Sequence, residues 1–311
     1  MVVTSGDPEG VGPELLLHLA ASGRLAPADR VVVGRHALTQ TLERLEAACG
    51  GTTPEWASAG RSLLEAHLDD EIADDAGQYA ALVRGVDLVL EAPRTRALVT
   101  APIDKAVAVR EGLAYPGHTE YLAARAGTER FAMAMVGPTL RLTLATIHIP
   151  LRSVPERLDG DAIARAGSLL AEALRDAFGV ETPRIALCGL NPHAGEGGVL
   201  GEEDAQIIAP ARERLSAECP YARFEGPLPA DAAFPLHAKG RFDGVVAMYH
   251  DQGLAPFKLL HFADGVNMTL GLPFVRTSPD HGTAKDIAGT GRVDPSSMFA
   301  AFDLARNAKA G

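Results

Sequence analysis

The stretch VVAMYHDQG, Val245 to Gly253, sets an unbroken apolar run against three polar side chains and a glycine. The run lacks the alternation of a half-solvated strand. It reads as a strand buried on both faces, of the kind found in parallel sheets covered by helices. RVVVG (30–34), RALVT (96–100) and RIALCG (184–189) read the same way. Between them lie GPELLLHLAA (12–21), ALTQTLERLEAA (37–48), GQYAALVRGVDLVLEA (77–92) and DAIARAGSLLAEALRDAF (161–178), where apolar residues recur at helical spacing. Strand–helix alternation predicts an α/β fold with a mainly parallel sheet. FAMAMVGPTLRLTLATIHI (131–149) breaks the rhythm and reads as two strands joined by a Gly-Pro turn, so the sheet is expected to be mixed. VNMTLGLPFVRTSP (266–279) is strand-rich again, and Asp294-Pro295 opens a last helix.

The 311 residues suffice for about two domains, with a cleft between them as the natural site. A net charge of −11 argues against nucleic acid as a partner, which needs a basic face. It leaves room for a small anion if a few cations gather locally. No apolar run reaches membrane-spanning length, and no signal-peptide pattern opens the sequence. Three scattered cysteines suit a reduced cytoplasmic setting.

Polar residues collect where the strands stop, as expected of sites in α/β sheets. TSGDPEGVGPE (4–14) is glycine-rich between a strand and a helix; it is a tight turn or a set of amides facing an anion. In TAPIDKAV (100–107), Lys105 faces the cleft or solvent. In YPGHTEYLA (115–123), Thr119 reads as a helix cap, and His118 has no capping role. His148, His193 and His250 each follow a strand, and His193 lies in a Gly/Pro loop. His250 alone is a core histidine, half of a base–carboxylate pair with Asp251, or a metal ligand. Three converging imidazoles would hold a divalent metal, with Asp231 as a candidate fourth ligand. The glycines and Thr283 of RTSPDHGTAKDIAGTGRVDP (276–295) could wrap a nucleotide.

GDPEGVGPE and DHGTAKDIAGTG together resemble paired motifs of the metal-dependent β-decarboxylating dehydrogenases of isocitrate and isopropylmalate type. YPGHTEYLA, GLNPHAGEGG, GPLPAD, MYHDQGLAPFK and GVNMTLGLPFVRTSPDHGTA look, more closely, like the 4-hydroxythreonine-4-phosphate dehydrogenase family along essentially the whole chain. The resemblance implies a three-layer α/β/α fold with two subdomains flanking a cleft. Residues 1–120 plus 275–311 would form the cofactor side, and 121–274 the dimerisation and metal side. It implies a homodimer with active sites at the interface. His148, His193 and His250, with Asp231, would bind the metal, zinc foremost, with magnesium, cobalt, manganese and nickel also compatible. His118, Thr119, Lys258, Asn267 and Arg276 would hold substrate. Lys105, Asp251 and metal-bound water are the candidates for general base. His281, Gly282, Thr283 and Asp286 would hold a nicotinamide cofactor. Asp286 sits where a carboxylate suits the free ribose hydroxyl of NAD and repels the extra phosphate of NADP; neighbouring Lys285 leaves NADP open.

The implied reaction oxidises the alcohol of 4-phosphooxy-L-threonine, with decarboxylation to 3-amino-2-oxopropyl phosphate, in pyridoxal 5′-phosphate biosynthesis. An unassisted alkoxide at neutral pH would cost roughly 12 kcal/mol, which a divalent cation largely removes. The alternatives are a paralogue acting on threonate or erythronate 4-phosphate or a dihydrodiol, and a metallohydrolase without cofactor.

Overall fold

The computed structural model describes residues 1–308 and divides into two compact units. The first comprises Met1–Gly127 and the described residues from Pro273 on; the second is Thr128–Leu272. The division differs from a sequence boundary at 120/121, which would cut a helix.

The chain begins in the first unit with β1 (Val2–Thr4), α1 (Gly12–Ala21), β2 (Arg30–Val32), α2 (Arg35–Ala48) and α3 (Glu55–Leu64). It continues with α4 (Gln78–Leu90), β3 (Leu98–Thr100), α5 (Lys105–Arg110) and α6 (His118–Ala126). Gly127, at φ 65°, ends α6 in the left-handed conformation that glycine adopts without steric penalty. The second unit adds β4 (Ala132–Val136), β5 (Arg141–Leu144), α7 (Val154–Arg157), α8 (Gly160–Asp176) and β6 (Arg184–Cys188). It ends with α9 (Ala209–Glu218), β7 (Arg223–Leu228), α10 (Ala230–Ala238), β8 (Gly244–Ala247), α11 (His250–Leu260) and β9 (Val266–Leu270). Back in the first unit, the chain forms β10 (Arg276–Pro279) and α12 (Ser296–Asn307).

In the first unit β2, β1, β3 and β10 lie side by side and parallel. Every residue of β1 and β3 is buried, as their apolar runs require, and so is every residue of β10 although that strand is the polar Arg-Thr-Ser-Pro. Helix α1 is buried along eight of its ten residues, and α3 crosses it closely. A Cβ on Gly60 would lie 2.3 Å from the Leu17 carbonyl oxygen, so only glycine permits that approach.

The second unit holds the mixed part of the sheet, in the order β9, β4, β5, β8, β6, β7. Strand β4 pairs antiparallel with both β5 and β9; β5–β8, β8–β6 and β6–β7 are parallel. Alternate residues feed two cores. Ile185, Leu187, Val246 and Met248 pack with Ile163, Leu170 and Leu174 of α8 and Leu215 of α9. Ala186, Cys188, Val245 and Ala247 pack with Phe234 of α10 and Leu254 and Phe257 of α11. Helices therefore cover both faces, giving the three layers. Among the described residues no helix is long and apolar enough to cross a membrane.

Candidate active site

The apolar run at 245–253 stops as a strand at Ala247, and His250 is the first residue of α11. Gln252 makes the junction rigid. Its Oε1 accepts from the Met248 amide at 2.7 Å, and its Nε2 donates to the Gly189 carbonyl at 2.7 Å. Gln252 thus ties the ends of β8 and β6 to α11. The Thr146 hydroxyl donates to the Met248 carbonyl at 2.7 Å, which fixes the start of the segment carrying His148. The His148 and His250 rings consequently lie 5.4 Å apart between centroids, tilted by 43°. Two imidazoles sharing one tetrahedral zinc would have centroids about 5 Å apart, from Zn–N bonds of about 2.1 Å. The pair fits a common divalent ion.

His250 is half-exposed, which removes the core-histidine reading. Its Nδ1 lies 2.7 Å from Asp251 Oδ1, so the carboxylate orients the ring and leaves Nε2 for a ligand. His193 and Asp231 do not complete the pair: no group of three or more His, Cys, Asp or Glu among the described residues is arranged to hold a metal. Asp231 lies exposed in the first turn of α10. Of the three imidazoles expected to converge, the rings of His148 and His250 are neighbours, and His193 is not grouped with them among the described residues. Lys258 lies half-buried on α11, and Asn267 on β9 faces Met135 of β4 in register, with its Oδ1 buried and unpartnered.

The loop that carries His193 is no ordinary Gly/Pro loop. Residues 193–197 all have positive φ, including His193 (55°), Ala194 (53°) and Glu196 (42°). Each L-residue held there costs roughly 1–2 kcal/mol, so the surroundings must impose the turn. Sequence reading does not anticipate this, because three of the five residues are not glycine.

In the first unit His118 is the first residue of α6, and the cap position is Gly117, with no side-chain cap bond. Thr119 is thus inside the helix and does not cap it, contrary to its sequence reading. The His118 residue is half-buried, yet its Nε2 is sealed from solvent and has no hydrogen-bond partner. Burial, reinforced by the positive charges of Arg276 and Lys105, pushes this imidazole well below its usual pKa. It is neutral at pH 7 and joins the site as an uncharged ring. Arg276, the first residue of β10, is 3% exposed and donates to the Thr100 hydroxyl at 2.6 Å. Burial lowers its pKa to about 10, and it stays charged at neutral pH. Lys105 is exposed at the start of α5, where Asp104 accepts the amides of Ala106 and Val107 at 2.9 and 3.1 Å. Two cations and a sealed imidazole therefore meet near the amide end of α6, an arrangement suited to an oxyanion.

The two motifs from opposite ends of the sequence meet in the same unit. The Val11 amide donates to the Thr283 carbonyl at 2.9 Å, and the Gly289 amide donates to Glu14 Oε2 at 2.7 Å. A Cβ on Gly10 would lie 2.7 Å from the Thr283 carbonyl oxygen, so glycine permits the contact. Burial raises the pKa of Glu14, whose carboxyl is fully enclosed. His281, Gly282 and Asp286 lie exposed on the loop, and Thr283 is half-buried. Lys285 is held by three carboxylates: its Nζ lies 2.8 Å from Asp104, 3.0 Å from Asp7 and 3.7 Å from Glu9. The hydrogen bonds to Asp104 and then Asp7 raise its pKa. Sequence reading missed Asp7, Glu9 and Asp104 here, since no local pattern pairs them with a lysine so distant in the chain.

A family model described as pyridoxal phosphate biosynthetic protein PdxA matches residues 65–305. A 4-hydroxythreonine-4-phosphate dehydrogenase from Desulfosudis oleivorans is 44% identical, the match covering 97% of this chain and 94% of its own. One from Aromatoleum aromaticum is also 44% identical, over 98% of this chain and 95% of its own. The crystal structure of the Klebsiella pneumoniae 4-hydroxythreonine-4-phosphate dehydrogenase is similar at TM-score 0.81 and 35% identity, over 98% of each chain. A terephthalate 1,2-cis-dihydrodiol dehydrogenase from Burkholderia xenovorans is similar at TM-score 0.64 and 28% identity, over 98% of this chain and 97% of its own. A β-decarboxylating dehydrogenase from Thermococcus kodakarensis, 13% identical at TM-score 0.51 over 97% of this chain and 81% of its own, shares the fold. With the family model spanning most of the sequence and relatives matching nearly end to end, the chain belongs to the PdxA family of pyridoxal phosphate biosynthetic proteins.

Proposed function

We propose that the protein oxidises the secondary alcohol of 4-phosphooxy-L-threonine with NAD and a divalent metal, and that decarboxylation yields 3-amino-2-oxopropyl phosphate. The observation that carries this reading is the anion site of the first unit: buried Arg276, Lys105, and the sealed, unpartnered Nε2 of His118. A protein of net charge −11 concentrates cations in this way for an anionic ligand.

The metal would be held by His148, His250 and His193, with Asp231 the least supported ligand because it is exposed on α10. Imidazole donors favour zinc and also suit cobalt and nickel; magnesium and manganese would need more oxygen ligands. When bound, the metal supplies Lewis acidity toward the alcohol and carbonyl oxygens, and NAD supplies the hydride acceptor. In the first unit Arg276 would grip a phosphate oxygen pair beside the His118 ring; in the second, Lys258 and Asn267 are the candidate substrate contacts. Thr119, one residue into α6, offers its hydroxyl and amide to the same phosphate. Lys105 and Asp251 remain the side-chain candidates for general base, the first beside the anion site and the second bonded to His250.

Lys285 bears on the cofactor. It is surrounded by Asp7, Glu9 and Asp104, so its charge is more than matched and is not offered to a 2′-phosphate. Asp286 beside it suits a free 2′-hydroxyl, which favours NAD. Dimeric assembly, with His193 of one subunit serving its partner's site, would supply the third ligand that is not grouped with His148 and His250 among the described residues.

The test is metal-dependent NADH formation with 4-phosphooxy-L-threonine. Faster turnover of threonate 4-phosphate would move the assignment to a sugar-acid paralogue. Substrate breakdown without NADH would favour the hydrolase. Replacement of His193 by Ala is expected to abolish metal retention and NADH formation together; full activity of the stripped variant would remove the metal role.

A further inference from the structure

We propose that Asp204 is the positioning residue for His193: its carboxylate holds the left-handed turn that fixes where that imidazole points. The inference rests on the metal role of His193 proposed above. Asp204 is 2% exposed and opens a short π-helical segment, Asp204–Ile208, an irregularity frequent near functional sites. Its Oδ1 accepts the Leu190 amide at 2.9 Å. Its Oδ2 accepts the Asn191 amide at 3.2 Å and Asn191 Nδ2 at 3.0 Å. Asn191 Nδ2 also donates to Glu203 Oε2 at 2.8 Å. Three amide donors just before His193 thus converge on one buried carboxylate.

The fit around it is tight. A Cβ on Gly189 would lie 2.6 Å from Asp204 Oδ1 and 2.9 Å from Ala194 Cα. A Cβ on Gly195 would lie 2.7 Å from the Gly201 carbonyl oxygen and 3.4 Å from Asp204 Oδ2. The turn wraps the carboxylate, and the run of positive φ at 193–197 lies on the wrapped segment. Asparagine at 204 would present an amide N–H₂ where only acceptors fit, so one of the N–H donors would face another donor. Strained φ persists only where neighbours impose it. Without the carboxylate, His193 and Ala194 are expected to relax to negative φ, and the imidazole turns away.

The experiment titrates the full-length protein with Co²⁺ and follows its visible absorption bands. The variants are Asp204→Asn, Asn191→Ala, His193→Ala and, as a stability control, Leu215→Ala in the core beneath α8 and α9. Hydrogen exchange over 189–201 is measured on each. The expected result is Co²⁺ affinity lowered about 10- to 100-fold in Asp204→Asn, a smaller loss in Asn191→Ala, and faster exchange in that segment for both. Leu215→Ala is expected to lose stability and keep its Co²⁺ affinity. Co²⁺ affinity in Asp204→Asn within twofold of the parent, or unchanged exchange over 189–201, overturns the proposal. If Asp204→Asn does not fold, Asn191→Ala carries the same test, and its parent-like affinity and exchange overturn it. Parent-like Co²⁺ binding by His193→Ala refutes instead the metal role beneath it, while the exchange data still judge whether Asp204 holds the turn.

Discussion

His118 and Arg276 show most plainly what single side chains contribute. Arg276 is a buried guanidinium whose charge depresses His118. Replacing Arg276 by Met removes the proposed bidentate grip on an oxyanion and the repulsion felt by the imidazole. KM for the phosphorylated substrate is expected to rise about 100-fold, in line with 2–3 kcal/mol for a charged hydrogen-bond partner. The His118 pKa, followed by NMR, is expected to rise at the same time; an unchanged value would separate the two residues. Lys285 supports a different prediction. Replacing Asp104 by Asn removes its nearest carboxylate, at 2.8 Å, and leaves its charge less matched. The ratio of kcat/KM for NADP to that for NAD is expected to rise. An unchanged ratio would take Lys285 out of cofactor choice. The candidate histidines His148, His193 and His250 stood out in the sequence because each follows a strand. The surroundings of the site residues did not. Lys285 meets Asp104 across 181 positions, and Asp204 meets Asn191 across 13, so only the folded chain joins them.

Secondary-structure elements were legible where a pattern ran long. The runs at 12–21, 161–178 and 184–189 and the apolar start of 245–253 became α1, α8, β6 and β8, because apolar spacing reports directly which face is buried. The Gly137-Pro138 turn between β4 and β5 was visible for the same kind of local reason. Helix α3 was not anticipated, since only Ala57, Gly60 and Leu64 along it are buried. That helix is held instead by one close crossing with α1, where His18 stacks on Trp56 at 3.7 Å and Gly60 approaches Leu17. Replacing Gly60 by Ala places a methyl 2.3 Å from a backbone oxygen and must push α3 away from α1. A loss of about 1–3 kcal/mol is expected in denaturant unfolding, the range for overpacked contacts. Helix propensity favours Ala over Gly by up to about 1 kcal/mol, so a net gain in stability would refute the crossing as drawn.

The assembled molecule adds consequences that no element carries alone. If each active site takes His193 from one subunit and Arg276 from the other, two variants that are each impaired at substrate far below KM can complement. Mixing His193→Ala with Arg276→Met chains and refolding them together would give heterodimers with one intact site, about a quarter of parental kcat/KM for random pairing. A site built within one chain would give no gain over the separate variants. Stability against pH is the other whole-molecule property. His18, His118 and His237 all have folded pKa values below the ordinary histidine value, chiefly through burial. Folding therefore favours their neutral forms, and the unfolded chain binds protons that the native state refuses. Their stabilisation is complete above about pH 6.5 and is lost as pH falls toward the folded values, at up to about 1.4 kcal/mol per pH unit for each proton. Glu14 opposes them, because burial favours its protonated form. Asp104 and Asp243, held below their usual range, weaken the fold only at still lower pH. His237 is the cleanest reporter, since its Nδ1 bonds the Phe242 carbonyl and its Nε2 accepts the Arg141 amide, both at 2.8 Å. Calorimetry from pH 7.5 to pH 5 is expected to show a falling thermal midpoint. Inorganic phosphate is expected to reduce the fall if its negative charge raises the His118 pKa in the bound protein. A midpoint flat across that range would mean that these buried imidazoles titrate normally, and with that the neutral His118 of the anion site would be lost.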